Sequence, residues 1–258
     1  MLIHKREIAF QIDPEETYSA RWYPSKYSDW EEESFDILDA FLAPDQDFLD
    51  IGAWIGPLTL YAAHKSRHVH ALEPDPVAFD RLHRNCLCNP DLNNVSLHQL
   101  GLSDANSSQS FGGNGELGNS ESSLLVTDAD YLNTGGESAH WMGDNPDWRK
   151  GESTTVPVLT FPEFVRQQSI DLAEVSLIKV DIEGSEKIAL PSMLSMAEAC
   201  QAPLFLSLHW DFLRTEDITT LVELLFACYP KLVSPAFKEI SQSYILEQKL
   251  SEILALPA

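Results

Sequence analysis

Basic side chains are scarce in this chain. Its 258 residues include 17 Lys and Arg against 40 Asp and Glu, a formal net charge of −23. Nucleic-acid backbones and anionic membrane surfaces are gripped by Lys and Arg, so both are excluded as partners. A small-molecule partner fits better, and much of the acidic excess reads simply as a solvated surface. Long apolar runs are also missing. Nothing approaches the roughly 18 residues that span a bilayer, and MLIHKREIAFQIDPEE contains no apolar stretch of signal-peptide length. Four cysteines (Cys86, Cys88, Cys200 and Cys228) are too few and scattered for a disulfide framework. The Cys86-Leu-Cys88 pair also lacks the two-residue gap of zinc knuckles. Reduced thiols and a cytoplasmic location are the expectation.

What is present is alternation. After a polar and aromatic lead-in (1–46) with Trp22, Tyr23, Tyr27 and Trp30, a helix is expected around Phe35, Leu38, Phe41 and Leu42, ending near Pro44. Then DFLDI, HVHALE, VSLHQLGLS, VSLIKVD and APLFLSLHW read as strands. The segments PLTLYAAHKS, PVAFDRLHRNCLCN, EKIALPSMLSMAEA and ITTLVELLFACY read as helices, and VPVLTFPEFVRQQ ends in one. KLVS and SYILEQ are expected to close the sheet as an antiparallel pair. Such alternation predicts a doubly wound α/β fold with about seven strands. Residues 105–155, rich in Gly, Ser, Asn and Asp, break the pattern. The aromatics Tyr131, Trp141 and Trp148 favour reading them as a lid insert.

In a doubly wound sheet the ligand sits beyond the carboxyl ends of the strands. The first such end reads Asp50-Ile-Gly52-Ala53-Trp54-Ile-Gly56. Gly52 allows a tight turn and close approach of a ligand, and Gly56 allows the next helix to pack close. An acid at Asp50 repels phosphate but suits a cationic or hydroxyl-bearing ligand. Glu73, in ALEPDP, follows 23 positions later, the spacing at which an acid accepts both ribose hydroxyls. Ser103 and Asp104 follow the third strand, as adenine contacts or as plain turn residues. LIKVDIEGSE crowds Asp181, Glu183 and Glu186 at one strand-to-helix junction, and His209 and Asp211 follow the next strand. Helix N-termini stabilise some of those acids; a cationic ligand, a metal or a catalytic role would account for the rest.

Taken together, FLDIGAWIG, ALEPDP, GLSD, VPVLTF and LIKVDIEGSE resemble the FkbM-type family of S-adenosylmethionine-dependent methyltransferases, from about Asp47 to His209. The resemblance implies a class I (Rossmann-like) fold, mostly parallel and seven-stranded. A methyltransferase domain would span 47–258, with the N-terminal extension and the insert added to it. It implies S-adenosylmethionine as cofactor, held by Asp50, Gly52, Ala53, Gly56, Glu73, Pro74, Ser103, Asp104 and Asp181. Asp181 and Glu183 would stand at the front of the methyl-donor pocket. Trp54 departs from the family, which often has Asn there; an indole could pack against the lead-in instead. Leu159-Thr-Phe-Pro-Glu163 replaces the usual Leu-Asp-Asp.

Methyl transfer to an alcohol needs an aligned acceptor and a group to take its proton. The expected catalytic set is His209, Glu183 and Asp181, with His209 as a metal-free base because an imidazole suits neutral pH. No resident metal is expected; if a divalent ion did bind, the same three residues would be its ligands. O-methylation of a sugar or secondary metabolite is the primary reading. N-methylation of an amine, a non-catalytic cofactor-binding module and a nicotinamide dehydrogenase are the alternatives. Asp50, in place of the first loop glycine, argues against the last.

Overall fold

The computed structural model describes residues 1–113, 115–127, 151–196 and 199–258. The lead-in is a folded unit. Strands β1 (Leu2–Lys5) and β2 (Ile8–Gln11) form an antiparallel hairpin, followed by helices α1 (Thr17–Lys26) and α2 (Glu32–Phe41). Lys5, 3% exposed, holds the turn between these helices by donating to the carbonyls of Tyr27, Ser28 and Trp30 at 3.0 to 3.1 Å.

The main sheet has seven strands. In chain order they are β3 (Asp47–Ile51), β4 (His68–Leu72), β5 (Val95–His98), β10 (Val175–Val180), β11 (Leu204–Ser207), β12 (Lys231–Val233) and β13 (Glu252–Leu256). Across the sheet they run β12-β13-β11-β10-β3-β4-β5. The four pairings from β11 to β5 are parallel, and the two that β13 makes are antiparallel. Helices α3 (Pro57–Ala62) and α4 (Pro76–Leu87) lie between the strands of the first half. Helices α5 (Phe161–Gln168), α6 (Glu186–Leu194), α7 (Thr215–Cys228) and α8 (Gln242–Gln248) serve the second.

Strict alternation along the central strands sends successive side chains to opposite faces. Phe48, Leu177, Phe205 and Leu254 pack with Tyr23, Tyr27, Phe35 and Leu58 on one face. Leu49, Ile178, Leu204 and Ile253 pack with Phe161, Leu190, Leu221 and Ile245 on the other. Strand order reverses between β3 and β10, and that switch point is where an open α/β sheet leaves a crevice.

Three expectations need correction. SYILEQ lies within a helix, α8, capped by Ser241, whose hydroxyl accepts the Tyr244 amide; the antiparallel partner of β12 is β13. VSLHQLGLS is not one strand. The chain bends after His98, and β6 (Gly101–Leu102) joins a second sheet, in the order β6, β9 (Ser153–Leu159), β7 (Ser107–Gly113) and β8 (Ser122–Ser123). That sheet also corrects the reading of 105–155 as one irregular insert, because its described flanks are paired. β7 pairs with β9, and β8 pairs with β7. Tyr131, Trp141 and Trp148 lie outside the described residues. Among the described residues, no helix is long and apolar enough to cross a membrane.

Candidate functional site

A cavity of about 420 Å³ opens at the switch point. Asp50, Gly52, Ala53, Glu73, Pro74, Asp181, Glu183 and His209 all line it. Its floor is the turn after β3. Gly52 sits at φ 85°, and a Cβ there would lie 1.8 Å from the carbonyl oxygen of Asp181, so only glycine lets β3 and β10 end this close. The amides of Gly52 and Ala53 both donate to the Leu72 carbonyl, at 3.0 and 2.9 Å. Gly56 caps α3 and does not line the cavity; a Cβ there would meet Leu82 of α4 at 2.6 Å. Its role is helix packing.

Glu73, 6% exposed, follows β4. Its two carboxylate oxygens accept the amides of Trp54 and Asp75, each at 2.8 Å. Burial pushes this carboxyl up to about 8 despite those backbone bonds. The geometry leaves each oxygen further acceptor capacity toward the cavity. Trp54 sits in the left-handed region (φ 49°). Its ring meets Trp22 edge-on at 4.9 Å and Tyr18 at 5.9 Å, joining the turn to the lead-in.

A roof comes from the loop between β7 and β8. Asp75 caps α4 with Oδ1, accepting from Val77 and Ala78, and accepts the Gly118 amide with Oδ2 at 2.7 Å. The Gly118 carbonyl in turn accepts from Arg81 Nη1 at 2.6 Å and from the Trp54 indole at 3.2 Å. Asn119, Ser120, Ser122 and Leu124 then face the cavity.

Asp50 is fully buried and already engaged. Thr59 donates to its Oδ2 at 2.6 Å, and Lys179 Nζ stands 3.2 Å from its Oδ1. Lys179, on β10, also donates to the Gly52 carbonyl at 2.6 Å and lies 3.5 Å from Asp181. Burial disfavours its charge, but Asp50, Asp181 and Glu31 more than compensate and raise its pKa. Lys179 thus stitches the turn to the acidic strand end. The signal for it was a lone Lys in the otherwise apolar strand core VSLIKV.

The acidic end is a cluster of side chains. His209 Nε2 lies 3.2 Å from Asp181 Oδ1 and 3.5 Å from Glu183 Oε2, while its Nδ1 lies 2.9 Å from Glu186 Oε1. Burial opposes the imidazolium, yet Glu186, Glu183 and Asp181 together raise His209 well above its ordinary range. Burial lifts Glu183 to about 8. Burial would lift Asp181 too, but Lys179 and His209 hold it low. Both ring nitrogens of His209 are therefore occupied, and the cluster carries protons at neutral pH in this arrangement. The expected free base is a tightly held imidazole. Glu186 lies fully buried behind it.

Ser103 and Asp104 are not brought to the cavity. The Ser103 hydroxyl is buried and accepts from Gln109 Nε2 at 2.9 Å, and Asp104 is exposed. The chain bend before β6 instead presents Leu100, Gly101 and Leu102. Trp22, Trp30, Glu31, Trp210 and Glu252, drawn from both ends of the chain, complete the lining.

Comparison with known proteins identifies the family. The family model of the methyltransferase FkbM domain matches residues 50–228. No curated protein matches the chain. Among solved structures, a methyltransferase FkbM of Methylobacillus flagellatus is similar at 16% identity and TM-score 0.44, over 82% of this chain and 43% of that one. A TehB-like SAM-dependent methyltransferase of Corynebacterium glutamicum is similar at 12% identity and TM-score 0.41, over 93% and 95%. Phosphoethanolamine N-methyltransferase 1 of Haemonchus contortus, solved with phosphoethanolamine and S-adenosylhomocysteine, matches at 23% identity and TM-score 0.23, over 29% and 17%. This chain therefore spans less than half the length of the first of these.

Proposed function

Because the chain belongs to the FkbM methyltransferase family, we propose that it transfers a methyl group from S-adenosylmethionine to a hydroxyl of a small molecule. The carrying observation is Glu73. It is a buried carboxyl group with both oxygens fixed by backbone amides, beside the Gly52 turn and in the same cavity as the His209 cluster. The residues fit such a cofactor. Gly52 and Ala53 bring the turn to the cavity wall, Glu73 offers acceptors to ribose hydroxyls, and Leu100 and Leu102 offer an apolar bed for a base. When bound, the sulfonium supplies an electrophilic methyl group, and its positive charge suits a cavity edged by acids.

The acceptor hydroxyl faces a different requirement. Its oxygen forms the new bond to carbon, the electron pair of the broken S–C bond stays on sulfur, and the hydroxyl proton must leave. With an alcohol pKa of roughly 16, departure needs help. Asp181, Glu183 and His209 are the groups at the cavity's far end that can manage that proton. Trp22, Trp30 and Trp210 supply flat apolar faces on which a sugar ring or a polycyclic metabolite can lie.

One observation favours a second reading. Glu31 and Glu252 also line the acceptor side and would attract an ammonium group, as expected for N-methylation. A free amine needs little help with its proton, so an active His209→Ala variant would select that reading. The primary test is calorimetry with S-adenosylhomocysteine. The wild-type chain should bind it, and Glu73→Gln should weaken binding at least tenfold while circular dichroism stays native. Equal affinity in the two proteins would overturn the cofactor assignment.

A further inference from the structure

The side chains beyond β10 and β11 are arranged as a ligand set. We propose that Asp181, Glu183 and His209 bind one divalent transition-metal ion. Each offers one ligand atom, and these atoms all lie within 4.8 Å of one another. The closest separations, 3.2 Å from His209 Nε2 to Asp181 and 3.5 Å to Glu183, are those of neighbours in one coordination sphere. Ligands about 2.1 Å from an ion, at right angles, stand roughly 3 Å apart. All three residues line the cavity, so an ion could enter and still keep positions open.

Glu186 supplies the independent observation. It is fully buried, and its Oε1 accepts the Ile182 amide at 3.0 Å while meeting His209 Nδ1 at 2.9 Å. A carboxylate behind Nδ1 holds the proton there once an ion displaces the one on Nε2, the arrangement that orients metal-bound histidines. Its second oxygen, Oε2, is buried with no hydrogen-bond partner among the described residues. Such an orphan acceptor calls for a reason, and a divalent cation added to the Glu186–His209 pair gives one.

Two carboxylates and one imidazole, with no thiolate, suit Mn²⁺, Fe²⁺, Co²⁺ or Zn²⁺ better than Mg²⁺ or Ca²⁺. The use of the ion rests on the methyltransferase reading. A cation at this end of the cavity lowers the pKa of a nearby hydroxyl, so the cluster need not act as a free base. The metal-free mechanism expected from the sequence then gives way to a metal-assisted one.

The test uses the full chain, stripped with a chelator, titrated with Mn²⁺ by calorimetry and followed by electron paramagnetic resonance. S-adenosylhomocysteine is titrated in parallel. One Mn²⁺ per chain is expected. Glu183→Gln and His209→Ala should each weaken Mn²⁺ at least 100-fold. Glu186→Gln, at a positioning residue, should weaken it by about 10- to 100-fold. All three variants should hold S-adenosylhomocysteine within about threefold of wild type. Wild-type chain that takes up none of Mn²⁺, Co²⁺ and Zn²⁺ while binding S-adenosylhomocysteine overturns the metal site and leaves the cofactor reading standing. Mn²⁺ uptake without S-adenosylhomocysteine binding does the reverse. Mn²⁺ affinity unchanged in both ligand variants also overturns the proposed site.

Discussion

The two ends of the cavity are bonded in different ways. At the turn end, Glu73 and Asp75 are held by backbone amides, those of Trp54, Asp75, Val77, Ala78 and Gly118. At the acidic end, Asp181, Glu183, Glu186 and His209 hold one another mainly through side chains. Backbone donors cannot change protonation and move only with the fold, so the first end suits recognition of a fixed shape. Side-chain groups that share protons can answer to a new charge, so the second end suits chemistry. Lys179 carries charge to both, through Asp50 and Gly52 on one side and Asp181 on the other.

Removing that link should have the largest effect. Lys179→Met leaves Asp50 and Asp181 without their shared cation, and breaking a buried pair this way costs about 3–5 kcal/mol. A melting temperature lowered by roughly 10 °C is expected by calorimetric scan; a loss under about 2 °C would show that the two ends are independent. His209→Ala separates the ends functionally. Turnover should fall by about 10²–10⁴-fold, with S-adenosylhomocysteine affinity nearly unchanged; a parallel loss of affinity would erase the division.

Acid should act against two histidines of the first half of the sheet. His70 and His98, on β4 and β5, stack at 5.6 Å, and burial lowers each from 6.5 to about 4. Both are neutral in the fold and charged in the unfolded chain below 6.5. Their contribution is therefore complete above pH 6.5 and is lost as pH falls toward 4. Glu73 and Glu183, raised to about 8, gain stability over the same range and oppose the histidines. The test is therefore differential: between pH 7 and 4 the urea midpoint of His70→Gln should fall less, or rise more, than that of wild type. The smallest effect belongs to Trp54→Phe, which removes one hydrogen bond to Gly118 but keeps the ring. A loss of about 1 kcal/mol is expected in urea unfolding; a loss above about 3 kcal/mol would make Trp54 a principal support of the roof.

The central strands could be read from sequence because their burial is continuous and their ends carry acids. DFLDI and VSLIKV announce themselves, and Asp50, Glu73, Asp181 and His209 follow from counting to the strand ends. EILAL did not announce itself. Its residues are good helix formers, and only the slot between β11 and β12 makes them extended. SYILEQ failed the opposite way, since its apolar pair masked the Ser241 cap. The roof was hidden for another reason. Gly118 and Ser122 look like loop filler, and their place depends on a hairpin whose partner strand, β9, lies some 30 residues downstream. The partnership of Glu186 with His209 likewise depends on the neighbouring strands meeting in space.

Asp75 has a consequence for local opening. One of its oxygens closes the first turn of α4, and the other holds the roof loop by the Gly118 amide. Two segments far apart in sequence therefore share a single carboxylate. Hydrogen exchange should treat them as one cooperative unit, with the Gly118 and Ala78 amides losing protection together whenever the cavity opens.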